Sequence, residues 1–383
     1  MNPSLPPGGR PLIASVFPRF ELGGPQVRFT NLANHYGPAM RHAIISLDGN
    51  LDCAARLSPD LDVCFPEARR RRGSTLANLG FIRGVLKALA PDVLLTHNWG
   101  SMEWAMARLA LPGIRHVHLE DGFGPEECSK QIRRRVVTRR LVLRRSTVVL
   151  PSLTLLRLAE DVWRLPPQRL RHIPNGLDLE RFAPASAAKV PSRRPRLGAV
   201  AALRPEKNLE RLLRASQMLL ADGVAFQLDI IGSGSARERL EAVVAELGME
   251  ASVRFTGAIE DPAHAYRDLD VFALSSDTEQ MPLAVLEAMA SGLPIAATTV
   301  GDVPQMVAPE NQPFLCAKTD AALAAALRPL LCDEALRARV GAANRRKAER
   351  EFGEDAMFRS YAELLAPPGC LEHCPVQMNQ AVL

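Results

Sequence analysis

Residues 275–301 read SSDTEQMPLAVLEAMASGLPIAATTVG, the end of one strand, a helix and the next strand in a single short run. The apolar stretch DVFALS (270–275) before it suits a buried strand, and PIAAT (294–298) near its end suits another. Between them Pro282 fits a helix's first turn, where the proton it lacks would be unpaired anyway, and Gly292 with Pro294 stops the helix. The spacing predicts a helix over 282–291, with Leu283, Leu286, Met289 and Ala290 as its buried stripe. Strand–helix–strand in this compass is the repeating unit of a parallel sheet covered on both faces.

The stretch also places Glu279 before the helix and Glu287 within it, about 12 Å apart if the intervening eight residues were all helical. Amide groups around Gln280, Met281, Leu283 and Ala284, at the positive end of the helix, suit an anion such as a diphosphate. Two glutamates at this spacing are in themselves equally compatible with solvated surface acids.

The same alternation runs along the chain. Strand candidates PLIASVF (11–17), HAIISL (42–47), DVLLT (92–96), IRHVHL (114–119), TVVLP (147–151) and RHIP (171–174) precede a Pro- and Ala-containing stretch at 183–196. LGAVAAL (197–203), FQLDIIG (226–232) and SVRFTG (252–257) then lead back to residue 270. Two doubly wound α/β domains facing each other across a cleft are expected, 1–182 and 197–350, joined by the 183–196 linker. The segment 351–383 is expected to form a C-terminal helix and tail that packs back on the first domain.

Composition narrows the function classes. The chain has 383 residues, 47% of them hydrophobic, and no apolar run of the roughly 18–20 residues a bilayer requires. The N-terminus MNPSLPPGGR lacks the pattern of a signal peptide, and seven scattered cysteines read as reduced thiols, so a cytoplasmic location is expected. Cys370 and Cys374 with His373 between them lack a second ligand pair, and no metal is expected. Residues 1–175 carry 25 Lys and Arg against 14 Asp and Glu, whereas residues 176–383 carry 22 against 28. The basic half is expected to meet something anionic. Within it, 130–145 holds seven arginines on an imperfect helical stripe, which suits either an anionic membrane surface or a solvated helix; RRRR at 69–72 adds to such a patch. Nucleic acid is disfavoured, because few aromatics are interleaved and no recognition motif is present. GSGSAR (232–237) follows a strand, but Arg237 stands where a dinucleotide fingerprint has its third glycine.

With these motifs in place, the stretch around Glu279 and Glu287 resembles the E-x7-E region of retaining glycosyltransferases of family four, which have the GT-B fold. IPNGLDLERFAP (173–184), LRPEKNLERLL (203–213), LDIIGSGSARERLE (228–241), VRFTGAI (253–259) and ELGGPQVRFTNLA (21–33) resemble further family segments in the family's order. The resemblance implies transfer of a sugar from a nucleotide-sugar donor to a glycan or lipid-linked acceptor, without a metal or other cofactor. It implies that Glu279 contacts the transferred sugar, Glu287 the ribose, and Arg204 with Lys207 the diphosphate. Gly23 and Gly24 allow close backbone approach to the donor. His118 is the best match to a family histidine facing the reacting sugar; a core histidine bonded to backbone is the alternative. Glu120, Asp121, His97 and Asn98 are candidates on the acceptor side. Where the family often has Glu-Gly-Phe, this chain has Glu279-Gln280-Met281, so the sugar pocket is expected to differ. A sugar-nucleotide epimerase or hydrolase of the same fold, or a non-catalytic carbohydrate-binding relative at a membrane surface, are the other readings.

Overall fold

A computed structural model describes residues 10–68, 75–123, 125–127, 130–184, 194–259 and 261–366. Most of the 183–196 stretch, the RRRR run and the Cys370/Cys374 tail lie outside the described residues. The chain divides into two compact units, residues 1–173 with 357–383, and residues 174–356.

The first unit is a seven-stranded, all-parallel sheet in the order β3-β2-β1-β4-β5-β6-β7. The strands are β1 (Leu12–Phe17), β2 (Arg41–Ser46), β3 (Val63–Cys64), β4 (Val93–His97), β5 (Arg115–Leu119), β6 (Thr147–Leu150) and β7 (Leu170–His172). Helices α1 (Gly24–Tyr36), α2 (Thr75–Leu89), α3 (Met102–Arg108), α4 (Arg133–Val142) and α5 (Leu153–Asp161) are interspersed among them. Near-continuous apolar strands such as ASVF (14–17) and VLL (93–95) are what a sheet buried on both faces demands.

The second unit repeats the plan with six parallel strands in the order β10-β9-β8-β11-β12-β13. These are β8 (Arg196–Val200), β9 (Gln227–Ile231), β10 (Val253–Gly257), β11 (Val271–Leu274), β12 (Ile295–Thr298) and β13 (Leu315–Cys316). Its helices are α6 (Leu209–Ala221), α7 (Arg237–Glu246), α8 (Pro262–Asp268), α9 (Leu283–Ala290), α10 (Val303–Met306), α11 (Asp320–Cys332) and α12 (Glu334–Glu351). One apolar cluster, around Leu212, Leu228 and Leu327, and another, around Phe272, Val285 and Ile295, make up its core. The order is that of a Rossmann-like sheet, whose ligands sit beyond the carboxyl ends of the strands where the strand order reverses. That point lies between β1 and β4 in the first unit and between β8 and β11 in the second.

All eleven strands expected from the sequence form; β3 and β13 were not foreseen, because two residues carry no periodicity. The unit boundary falls after Ile173 rather than at 182, since Leu177 and Phe182 pack into the second unit's core. Helix α13 (Glu354–Leu365) adds Met357, Phe358, Tyr361 and Leu365 to the core of the first. At its start, backbone bonds tie Leu177 to Phe352 and Glu354. Burial, with Asp178 and Asp355 close by and only Arg181 opposing, pushes the Glu354 carboxyl up from 4.5 to about 7. A raised carboxyl favours the protonated form in the fold. Its contribution to stability is therefore intact below pH 4.5 and is lost as pH rises through about 7. Glu354→Gln is expected to raise the melting temperature at pH 8 and leave it unchanged at pH 4, read as a melting profile against pH.

Candidate active site

At the reversal point of the second unit two loops meet. One follows β8 and carries Arg204 and Lys207; the other follows β11 and carries Glu279. Their strands are hydrogen-bonded neighbours, so the loops leave the sheet side by side. Lys207 Nζ stands 2.7 Å from Glu279 Oε1, and the Ser276 hydroxyl donates to the same oxygen at 2.6 Å. The cation and the carboxylate to which the resemblance gives the diphosphate and the sugar are thus adjacent, and each is held by the other. Arg204 is exposed at the start of the same turn, at Pro205–Lys207.

The rest of the frame is polar and was missed in the sequence. Asn208 adopts a left-handed backbone (φ +41°), caps α6 through Arg211 N–H, and donates to Asp277 at 3.0 Å. Arg211 donates to the Ser275 carbonyl at 2.6 Å and to Asp277 at 2.7 Å. Asp277 N–H donates to the Glu206 carbonyl, and the Ser275 hydroxyl to that of Lys207. Five bonds therefore cross-link the two loops, the Lys207–Glu279 pair aside. Gly301 (φ +50°) lies against the loop from the other side, where a Cβ would collide with the Glu279 and Gln280 carbonyl oxygens. A Cβ on Gly232 (φ +140°) would likewise collide with the Ala201 carbonyl oxygen, which explains the first glycine of GSGSAR without a dinucleotide.

Helix α9 starts one residue later than expected, with Pro282 as its extended cap. The N–H groups of Leu283 and Ala284 stand in its first turn, where helix geometry gives them no intrahelical acceptor. Glu287 is half-buried on the second turn and accepts the Tyr266 hydroxyl at 2.7 Å. Burial raises the Glu287 carboxyl, and burial beside that carboxyl raises the Tyr266 phenol well above its ordinary value. Met281, expected to offer its backbone amide to the anion, turns its side chain inward. It is 8% exposed and packs in the core, its sulfur and carbonyl accepting the backbone and side-chain N–H groups of Asn175 at 3.2 and 3.0 Å. Asn175 of the IPNG segment thereby fixes the loop carrying Gln280.

In the first unit the candidates gather at the ends of β4 and β5. Gly23 caps α1, which opens at Gly24. His97 turns inward: it is buried, stacks on Phe17 at 3.8 Å between ring centroids, and burial holds its pKa well below 6.5. As an acceptor-groove residue His97 is corrected to a core residue. Asn98 (φ +56°) accepts the Asp121 N–H at 2.7 Å, and Asp121 pairs with buried Arg28 at 2.6 Å. His118 and Glu120 are fully buried, with His118 Nε2 3.6 Å from Glu120 Oε2.

The basic run also divides. Arg139, grouped by sequence with the outward-facing arginines, is fully buried: its guanidinium donates to Glu120 at 3.1 Å and to Glu127 at 3.1 and 3.2 Å. Trp99, Phe123 and Trp163 surround it at 4.9–5.2 Å from their ring centroids. The opposite face of α4 exposes Val137, Arg140 and Leu141, with Arg144 one turn on. Arg140, Arg144 and Arg164 line a cavity of about 600 Å³ with Glu160 and Leu165.

Two Rossmann-like domains in one chain define the GT-B fold, and comparison with solved structures agrees. HepE of Anabaena, solved in complex with UDP-glucose, superposes with a TM-score of 0.77 at 17% identity, covering 93% of this chain and 99% of that one. Residues 22–181 match the family model Glycosyltransferase Family 4, and residues 185–347 match Glycosyl transferases group 1. The chain therefore belongs with the GT-B glycosyltransferases of the family-four kind. A GDP-mannose-dependent monoacylated alpha-(1-6)-phosphatidylinositol monomannoside mannosyltransferase of Corynebacterium glutamicum is 30% identical over 214 residues, 51% of this chain and 55% of that protein. The amylovoran biosynthesis glycosyltransferase AmsK of Erwinia amylovora is 33% identical over 179 residues, 44% of each. The chain thus spans about half the length of the curated relatives it matches.

Proposed function

We propose that the chain is a retaining glycosyltransferase that moves a sugar from a nucleotide-sugar donor to a hydroxyl of a glycan or lipid-linked acceptor in polysaccharide or glycolipid assembly. The observation that carries this reading is the Lys207–Glu279 pair at the reversal point of the second unit, next to the first turn of α9. A diphosphate there meets Lys207, Arg204 and the amides of Leu283 and Ala284; the transferred sugar meets Glu279 and the ribose meets Glu287. In the transfer, the bond from the anomeric carbon to the phosphate oxygen breaks and a bond to the acceptor oxygen forms on the same face of the sugar. The acceptor's proton passes to the leaving phosphate oxygen. Negative charge grows on the diphosphate as this happens, and fixed cations stabilise it. Relatives that act on GDP-mannose or bind UDP-glucose support a nucleotide sugar without fixing its base.

The first test is a thermal-shift series with UDP, GDP, ADP and their sugar conjugates. A nucleotide at a hundred times its dissociation constant is expected to add about 2.7 kcal/mol to stability. Glu287→Ala and Arg204→Ala are expected to weaken that shift. No shift with any nucleotide, in folded protein, turns the reading toward a non-catalytic relative. Product release without any acceptor points instead to a hydrolase or epimerase.

The exposed face of α4 supports peripheral contact with an anionic membrane at the cytoplasmic surface. Apolar Val137 and Leu141 alternate there with Arg140 and Arg144, and no helix among the described residues is long and apolar enough to cross a bilayer. Each well-placed cation contributes about 1 kcal/mol. The double variant Arg140→Glu, Arg144→Glu is expected to lose co-sedimentation with vesicles containing phosphatidylglycerol while melting as the parent does. Unchanged sedimentation refutes the contact.

A further inference from the structure

β4 and β5 run parallel with Thr96 opposite His118 and Leu94 opposite His116, so Thr96, His116 and His118 share one face of the sheet. All three are buried. The Thr96 hydroxyl lies 2.8 Å from His116 Nε2 and 2.8 Å from His118 Nδ1, and His116 Nδ1 lies 2.7 Å from the buried Ser146 hydroxyl. Beyond His118 come Glu120, Arg139 and Glu127. A continuous polar line thus runs from Ser146 to Glu127 through the interior of the first unit.

Proton counting gives the line a direction. A threonine hydroxyl has one proton, so it donates to one imidazole and accepts from the other. Burial holds His116 well below its ordinary pKa, so that ring is neutral and carries a single N–H. In one polarity Ser146 donates to His116 Nδ1, His116 Nε2–H donates to Thr96, and Thr96 donates to His118 Nδ1. His118 then carries its proton on Nε2, facing the Glu120 carboxylate 3.6 Å away. In the reverse polarity a neutral His118 turns a bare lone pair toward that carboxylate, two acceptors face to face. A charged His118 would avoid the clash. It would then carry a proton on Nδ1 as well as on Nε2, so the 15N shifts of His118 separate that state from the neutral Nε2–H tautomer.

We propose that Thr96 and His116, anchored by Ser146, are positioning residues that lock His118 in the Nε2–H tautomer, making it a hydrogen-bond donor to a substrate oxygen and not a base. This rests on the reading of His118 as a residue of the transfer site. Two buried atoms have no hydrogen-bond partners among the described residues, His118 Nε2 and Glu120 Oε1, both on residues at the carboxyl end of β5, where a ligand oxygen would complete them.

The test uses the full chain labelled with 15N-histidine, His118 being assigned with the variant His118→Gln. A pyridine-like Nδ1 and a pyrrole-like Nε2 are expected in the parent, retained in Thr96→Ser and scrambled in Thr96→Val. Release of nucleoside diphosphate from UDP-glucose or GDP-mannose, whichever the protein turns over, is expected to fall at least about tenfold in Thr96→Val, since a triad histidine in the wrong tautomer loses about 10⁴. Thr96→Ser should restore it, with the nucleotide-induced melting shift equal in both. A protonated Nδ1 in the parent, or a tautomer unmoved by Thr96→Val, overturns the lock. The expected tautomers with equal turnover in both variants overturn the catalytic use of His118 instead. Nucleotide binding separately tests the donor reading.

Discussion

Arg139→Met is expected to destabilise the first unit by about 3–5 kcal/mol, because it leaves two carboxylates buried with their cation removed. Glu120 and Glu127 are 0% and 2% exposed, and Arg139 is the residue that bridges them. Glu127 keeps Arg135 at 3.0 Å, whereas Glu120 has no second guanidinium among the described residues, so it carries most of the penalty. For a unit of this size the loss corresponds to a drop of about 10 °C in melting temperature. Arg139→Lys keeps the charge and loses the fork that reaches both carboxylates, so it should fall between parent and methionine. Adding Glu120→Gln to Arg139→Met should recover part of the loss. Arg140→Met, one residue along and exposed, is expected to change stability by less than about 0.5 kcal/mol. Equal urea midpoints for Arg139→Met and Arg140→Met would refute this account.

Lys207→Ala and Glu279→Gln are expected to behave in the opposite way, with large losses of activity and small changes in stability. The pair sits at the edge of its unit, Lys207 a quarter exposed, so its net worth to folding is about 1 kcal/mol or less. In the proposed reaction its worth is greater, because a fixed cation beside a leaving diphosphate acts where charge develops. Removal of one such donor typically costs about 10²–10³ in kcat. Lys207→Ala should also raise the KM for the nucleotide sugar, since the proposed site sets the cation against the ground-state diphosphate. Glu279→Gln should act chiefly on kcat. Since each residue restrains the other through a 2.7 Å bond, the double variant should lose less than the two single losses combined. Parent-like turnover in both single variants would remove these residues from the mechanism.

Much of this was legible in the chain. DVFALS, the Pro282 start and the Gly292–Pro294 stop contain a strand, a helix and a stop, because apolar periodicity and the conformational limits of proline and glycine are local properties. Loops rich in motifs, LRPEKN and SSDTEQMP, followed strands and so could be placed at strand ends. The failures share a cause. His97 and Arg139 sit within stretches that look functional, yet each turns inward: His97 onto Phe17, and Arg139 onto two glutamates of another loop.

By itself the sequence determined the alternation of strands and helices, the division into two α/β units and the loops that hold Arg204, Lys207, Glu279 and Glu287. Only the tertiary structure decided that Lys207 pairs with Glu279, that Arg211 and Asp277 lock the two loops together, and that Thr96 stands between two histidines. Backbone propensity acts over a few residues, whereas hydrogen-bond partners are chosen by strand order and register, which bring together side chains 20 to 72 positions apart.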